Sequence, residues 1–196
     1  MKTPLFIGMS LLTLAGCASA PQPVALAPAQ IETPGDYTHV ASGFRFPAEL
    51  ADFRRVSLVQ RDSVGRSVTA GYAGGSPRCL TAITFWIDPI ESPPATGEAP
   101  ELLQMADGKR LDEAFSHATR EVLDAHASAM LESTESGVLD EMPGRRALYR
   151  VDDRRLEIVV LVAKHAWYLK YRVMFPANCA EEASPRITEF FNAWRR

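Results

Sequence analysis

Residues 156–163 (LEIVVLVA) and 166–175 (AWYLKYRVMF) constrain the fold more than any other stretch of this chain. The second alternates strictly. Trp167, Leu169, Tyr171, Val173 and Phe175 share one side, and Tyr168, Lys170, Arg172 and Met174 share the other. A period of two is the signature of a strand with one face in the core and the other partly wet. Pro176 stops it. The first stretch is apolar on both sides but lies between Arg155 and Lys164. It is far short of the roughly 20 apolar residues a membrane span needs, so it reads as a buried strand. Joined through Lys164-His165, the two segments predict paired neighbouring strands.

The rest of the chain supplies partners for that pair. Residues 145–151 read as a further strand. Residues 54–62 and 67–73 read as a hairpin turning at Ser63-Val64-Gly65-Arg66, with Val56 and Leu58 on one face and Val68, Ala70 and Tyr72 aligned on the second strand. Residues 80–87 (LTAITFWI) are apolar on nearly both sides and predict a central strand covered on both faces. A proline-rich loop fills 88–100. Leu111, Ala114, Phe115, Ala118, Val122, Ala125 and Ala129 then recur at helical spacing, predicting a helix that ends by Ser136-Gly137. Ser184-Pro185 reads as an N-cap followed by a first helical residue, with Ile187, Phe190, Phe191 and Trp194 on one side of the final helix. This order of elements argues for α+β, a mainly antiparallel sheet covered by two helices.

The N-terminus carries a different kind of information. Lys2 is a short positive segment, Leu5 to Leu14 an apolar one, and Leu14-Ala15-Gly16-Cys17 resembles the lipobox of bacterial lipoproteins. The resemblance implies a signal peptide over 1–16 and lipidation of the Cys17 thiol, with palmitate among its acyl groups. Ala18 follows the cysteine, which by the enterobacterial sorting rule implies an outer-membrane anchor facing the periplasm. Residues 17–36 are rich in proline and small residues and read as a tether. A single domain then occupies 37–196, as a length of 196 residues suggests. Of the three cysteines, Cys79 and Cys179 remain. In an oxidising compartment they form either a disulfide or two free, buried thiols.

No catalytic signature stands out. HExxH, GxSxG, phosphate-loop and dinucleotide-binding patterns are absent from the sequence. His117, Glu121 and Asp124 share a helix face, but a metal site needs three or four convergent ligands, so no metal and no cofactor is expected. The formal net charge of -3 offers no general nucleic-acid footprint. Paired arginines at 54–55, 145–146, 154–155 and 195–196 form a polyanion groove only if folding makes them converge. Lys170 and Arg172 share the wetter side of their strand, an arrangement able to line a cleft for an anionic group.

Residues 44–47 (FRFP), 53–62 (FRRVSLVQRD), 71–72 (GY) and 167–176 (WYLKYRVMFP) resemble uncharacterised exported proteins of proteobacteria. Their layout is similar to small α+β sandwiches of the PsbP and Mog1 type. The resemblance implies a helix-covered antiparallel sheet and a role in binding or assembly on protein partners. It carries no active-site residues. The expected function is therefore a membrane-tethered periplasmic binding or envelope-assembly lipoprotein with an envelope protein partner. A hydrolase-like small-molecule enzyme using a cleft without a motif is the alternative.

Overall fold

The computed structural model describes residues 28–90, 100–139, 142–163 and 166–195. The expected signal peptide, Cys17 and the first part of the expected tether fall in residues 1–27, and these, with 91–99, 140–141, 164–165 and 196, lie outside the described residues.

The strand pair read from sequence is the middle of a large antiparallel sheet. Strands β1 (Ala29–Gln30), β4 (Glu49–Leu50), β5 (Phe53–Gln60), β6 (Val68–Gly74), β7 (Thr81–Pro89), β8 (Met130–Leu139), β9 (Met142–Val151), β10 (Arg154–Ala163) and β11 (Trp167–Pro176) belong to it. Its order is β1-β5-β6-β7-β11-β10-β9-β8, and β4 shares the β5 edge with β1. A small hairpin, β2 (Tyr37–Thr38) with β3 (Arg45–Phe46), stands apart. Helix α1 (Pro100–Ala125) crosses from β7 to β8, and α2 (Ala180–Trp194) is the last element. The class is α+β, an antiparallel sheet covered by two helices.

Each helix covers one half of one face. The odd residues of β11 face α2, where Phe190 meets Phe53 of β5, Tyr72 of β6 and Phe85 of β7, and Phe191 meets Tyr171 of β11. Phe85 is the hub of this aromatic cluster, with edge or offset contacts of the kind rings prefer. On the opposite face Leu111, Ala118 and Val122 of α1 pack on Ala147, Tyr149, Leu156, Ile158 and Val160 of β9 and β10. The sheet is thus a diagonal sandwich.

Three local expectations change. Helix α1 stops at Ala125, and 130–139 is a strand rather than the end of the helix. That strand is an edge lying beyond both helices, so it has no buried side to impose alternation. Helix α2 begins at Ala180 and takes Pro185 inside, with Glu181 and Glu182 in its first turn, where acidic side chains favour a helix N-terminus. Val56 does not share the core face with Leu58. A bulge between Arg55 and Ser57 turns it outward, leaving it 63 % exposed while Leu58 is buried.

The tether boundary also moves. Residues 29–36 pack on the domain instead of spacing it from anything. β1 pairs with β5, and the Ile31 N–H donates to Leu58 O at 2.8 Å. Arg55 donates to Thr33 O at 3.1 Å and Gly35 O at 2.6 Å. The Ala48 N–H donates to the Asp36 carboxylate at 2.9 Å. A guanidinium has donors enough to satisfy a proline-rich segment that lacks a full ladder of its own.

Cys79 and Cys179 are joined by a disulfide, with Cα atoms 5.6 Å apart. Gly75 opens the turn that presents Cys79. Its φ is +98°, and a Cβ there would come within 2.4 Å of Cys79 O, so only glycine fits. A second anchor is His39, fully buried. Its Nε2 donates to Gly65 O at 2.8 Å, which makes Nδ1 the acceptor for the Ser42 hydroxyl at 2.6 Å. The knot ties the β2–β3 hairpin to the β5–β6 turn.

Candidate functional site

Among the described residues the diagonal arrangement leaves two half-faces without a helix. Beyond α2, over β8, β9 and β10, a lattice of charges closes on itself. Arg146 bridges Glu135 and Glu157, each at 3.0 Å, and Arg150 reaches Glu132 at 2.7 Å. Arg145, the residue before Arg146, points the other way to Asp112 of α1 at 2.8 Å. Arg54 pairs with Glu49 at 3.3 Å, and Arg55 is spent on carbonyls. Alternation along strands therefore splays the arginines of the pairs at 54–55 and 145–146 to different partners rather than into one polyanion groove.

The other half-face, beyond α1 over β5, β6 and β7, is built differently. Cross-strand rows run Trp86–Thr69, Thr84–Gly71 and Ala82–Ala73. These side chains are small except for one indole, and none is charged. Gly71 makes room for the bulged β5, since a Cβ at 71 would lie 2.5 Å from Ser57 Oγ. Trp86 sits opposite Lys170 of β11, and Thr84 sits opposite Arg172. The Lys170 ammonium lies 4.8 Å from the indole centroid and the Arg172 guanidinium 5.4 Å. Both are cation–π distances.

Helix α1 forms the wall of this face. Lys170 Nζ donates to Glu121 Oε2 at 2.9 Å, and His117 Nδ1 stands 3.5 Å from Glu121 Oε1. Beside them is a cleft of about 220 Å³ lined by Asp88, Ala114, His117, Val160, Tyr168 and Lys170. Ser67 hydrogen-bonds Asp88 at its rim. Burial alone would raise the Glu121 carboxyl. The Lys170 hydrogen bond, with the charges of Lys170, His117 and Arg172, outweighs it and holds Glu121 below the ordinary carboxylate range. Arg172 is pulled below its usual value by burial, against the attraction of Glu121.

The sequence reading of Lys170 and Arg172 as an anion-lining pair separates here. Both share one face, as alternation required. Lys170 is spent on Glu121 and is only 16 % exposed, while Arg172 makes no hydrogen bond or ion pair with a described residue. Trp86 was missed because LTAITFWI reads as apolar throughout. Its alternate residues Ala82, Thr84, Trp86 and Asp88 grade from small to acidic, which is the signal of a face left partly open. A larger groove, about 380 Å³, lies where residues 30–34 cross β4 and β5, and its Arg55 is already bound by carbonyls. Among the described residues no three His, Cys, Asp or Glu side chains gather as metal ligands.

No protein-family model matches the chain, and no curated protein matches it. A solved structure is similar, the solution structure of cyanobacterial PsbP (CyanoP) from Synechocystis sp. PCC 6803. The TM-score is 0.47 at 12 % identity, over 91 % of this chain and 98 % of that one. The likeness is one of overall layout. The outer-membrane, periplasm-facing lipoprotein with palmitate expected from the N-terminus draws no support from this match, and Cys17 lies outside the described residues.

Proposed function

We propose that this protein is a binding or assembly module that docks a protein partner on the open half-face centred on Trp86. The observation that carries this reading is the half-covered sheet. α1 packs on β9 and β10, and among the described residues no helix crosses Trp86, Thr84, Thr69 and the small residues beside them, which are mostly half-buried, with Lys170 and Arg172 along the boundary. Among the described residues the companion half-face carries the ion pairs of Arg146 and Arg150, whereas on the face centred on Trp86 Arg172 has none. Aromatic and arginine side chains are the residue types that anchor protein interfaces. A sheet face suits a protein surface better than an enclosed small ligand, which prefers a concave pocket.

Site-specific photocrosslinking in cells tests it. A photoreactive residue at Thr84 should give one discrete adduct with a protein identified by mass spectrometry. The same residue at Thr188, exposed on α2, should not. The adduct at 84 should fall at least tenfold in a Trp86→Ala background. Equal adducts at both positions, or none at 84, would remove the docking face.

A further inference from the structure

Resting on that reading, we infer that the group this face receives is a carboxylate of the partner, taken by Arg172 beside Trp86. Lys170 and Arg172 are two cations on one strand face, and among the described residues one carboxylate pairs with them, while Asp88 lines the Lys170 cleft and takes a hydrogen bond from Ser67. Glu121 holds Lys170 at 2.9 Å and has His117 3.5 Å from its other oxygen. Both oxygens of that carboxylate are therefore engaged, and Arg172 receives only its field. The guanidinium stacks over the Trp86 ring, and its Nε is buried without a hydrogen-bond partner.

A partly buried cation in this state is costly, because burial weakens hydration and no hydrogen-bonded counter-charge replaces it. Such a site gains most from a single opposite charge delivered with planar hydrogen-bonding geometry, and a carboxylate fits a guanidinium edge in that way. Among the described residues Arg172 is a single positive charge without an ion pair, which matches a carboxylate better than a phosphate dianion. The approach runs over Thr84, the half-buried cross-strand neighbour of Arg172. Indole and small sheet residues flank the same spot, so the carboxylate should come with an apolar neighbour on an extended segment. An Asp or Glu residue and the free C-terminus of a polypeptide share this chemistry.

The test uses the full-length protein labelled with ¹⁵N and follows two side-chain signals, the Arg172 Nε–H and the Trp86 indole N–H. Each is assigned by its loss in Arg172→Lys or Trp86→Phe. The probes are acetyl-Leu-Glu-Leu-Glu-Leu-amide, its Gln counterpart, the Gln peptide with a free C-terminal carboxylate, and inorganic phosphate. The Glu peptide should shift both signals saturably, and the Gln amide should not. Arg172→Gln should weaken binding at least tenfold, whereas Lys109→Gln, on exposed α1, should leave it unchanged. A response to the free C-terminus but not to Glu assigns the carboxylate to the end of a polypeptide. Equal response to the Gln amide, stronger response to phosphate, or no response to any carboxylate would overturn the inference. If the Thr84 adduct nevertheless persists in Arg172→Gln, the docking face stands and only the carboxylate falls.

Discussion

Glu121 is the residue on which the electrostatics of the open face turn. It is shared between Lys170 and His117, and its side chain is 41 % exposed. Solvent screening keeps the contribution of such a pair to roughly 0.2–1 kcal/mol. The sign follows from the direction of its shift. A carboxylate held lower in the folded state than in the unfolded one adds stability above the unfolded pKa and loses it as pH falls through the folded value. Urea denaturation should therefore show Glu121→Gln less stable than the parent at pH 7, with the gap closing below about pH 4, where the unfolded carboxyl is already protonating. A gap that persists unchanged at pH 3 would mean that packing, not charge, is lost. Single residues also mark where sequence reading stops. Alternation put Lys170 and Arg172 on one face, yet the difference between them comes from Glu121, forty-nine positions away from Lys170 in sequence.

At the scale of elements, what was legible depended on whether an element has a buried side. β10 and β11 do, and their pattern was readable because burial selects every second residue. β8 has almost none, so LESTESGV looked like a helix tail. In α1 the stripe is narrow but sharply one-sided. Leu111 is 1 % exposed and Leu123 is 50 % exposed. Leu111→Ala should cost about 2–5 kcal/mol by transfer and cavity terms, whereas Leu123→Ala should change stability by less than about 0.5 kcal/mol. Thermal unfolding of the two variants compares them directly. Similar losses in both would mean that α1 does not present this face to β9 and β10. The same one-sidedness explains why Pro185 is tolerated inside α2. The aromatic residues that hold the helix to the sheet, Phe190 and Phe191, lie beyond it.

At the scale of the whole molecule, two long-range ties hold segments that local patterning leaves loose. The disulfide closes a separation of 100 residues, and the loop-entropy model assigns a loop of that length about 4.7 kcal/mol. Cys79→Ser with Cys179→Ser should lower stability by several kcal/mol, read as a fall in the urea midpoint. A midpoint unchanged in the double variant would show that the bridge is dispensable to the folded state. The other tie is the His39 knot between the β2–β3 hairpin and the β5–β6 turn, which nothing around His39 in the sequence announces. The amino-acid sequence by itself determined the α+β class, the antiparallel pairing of β10 with β11, the core face of β6 and the apolar sides of both helices. Each is written in a local period of two or 3.6, and burial enforces that period residue by residue. Only the tertiary structure decided which half of each sheet face a helix covers, that residues 29–36 belong to the domain, and that Lys170 rather than Arg172 takes the ion pair with Glu121. Those outcomes depend on where α1 and α2 come to rest on a nine-stranded sheet, and contacts between residues tens of positions apart leave no local period to read.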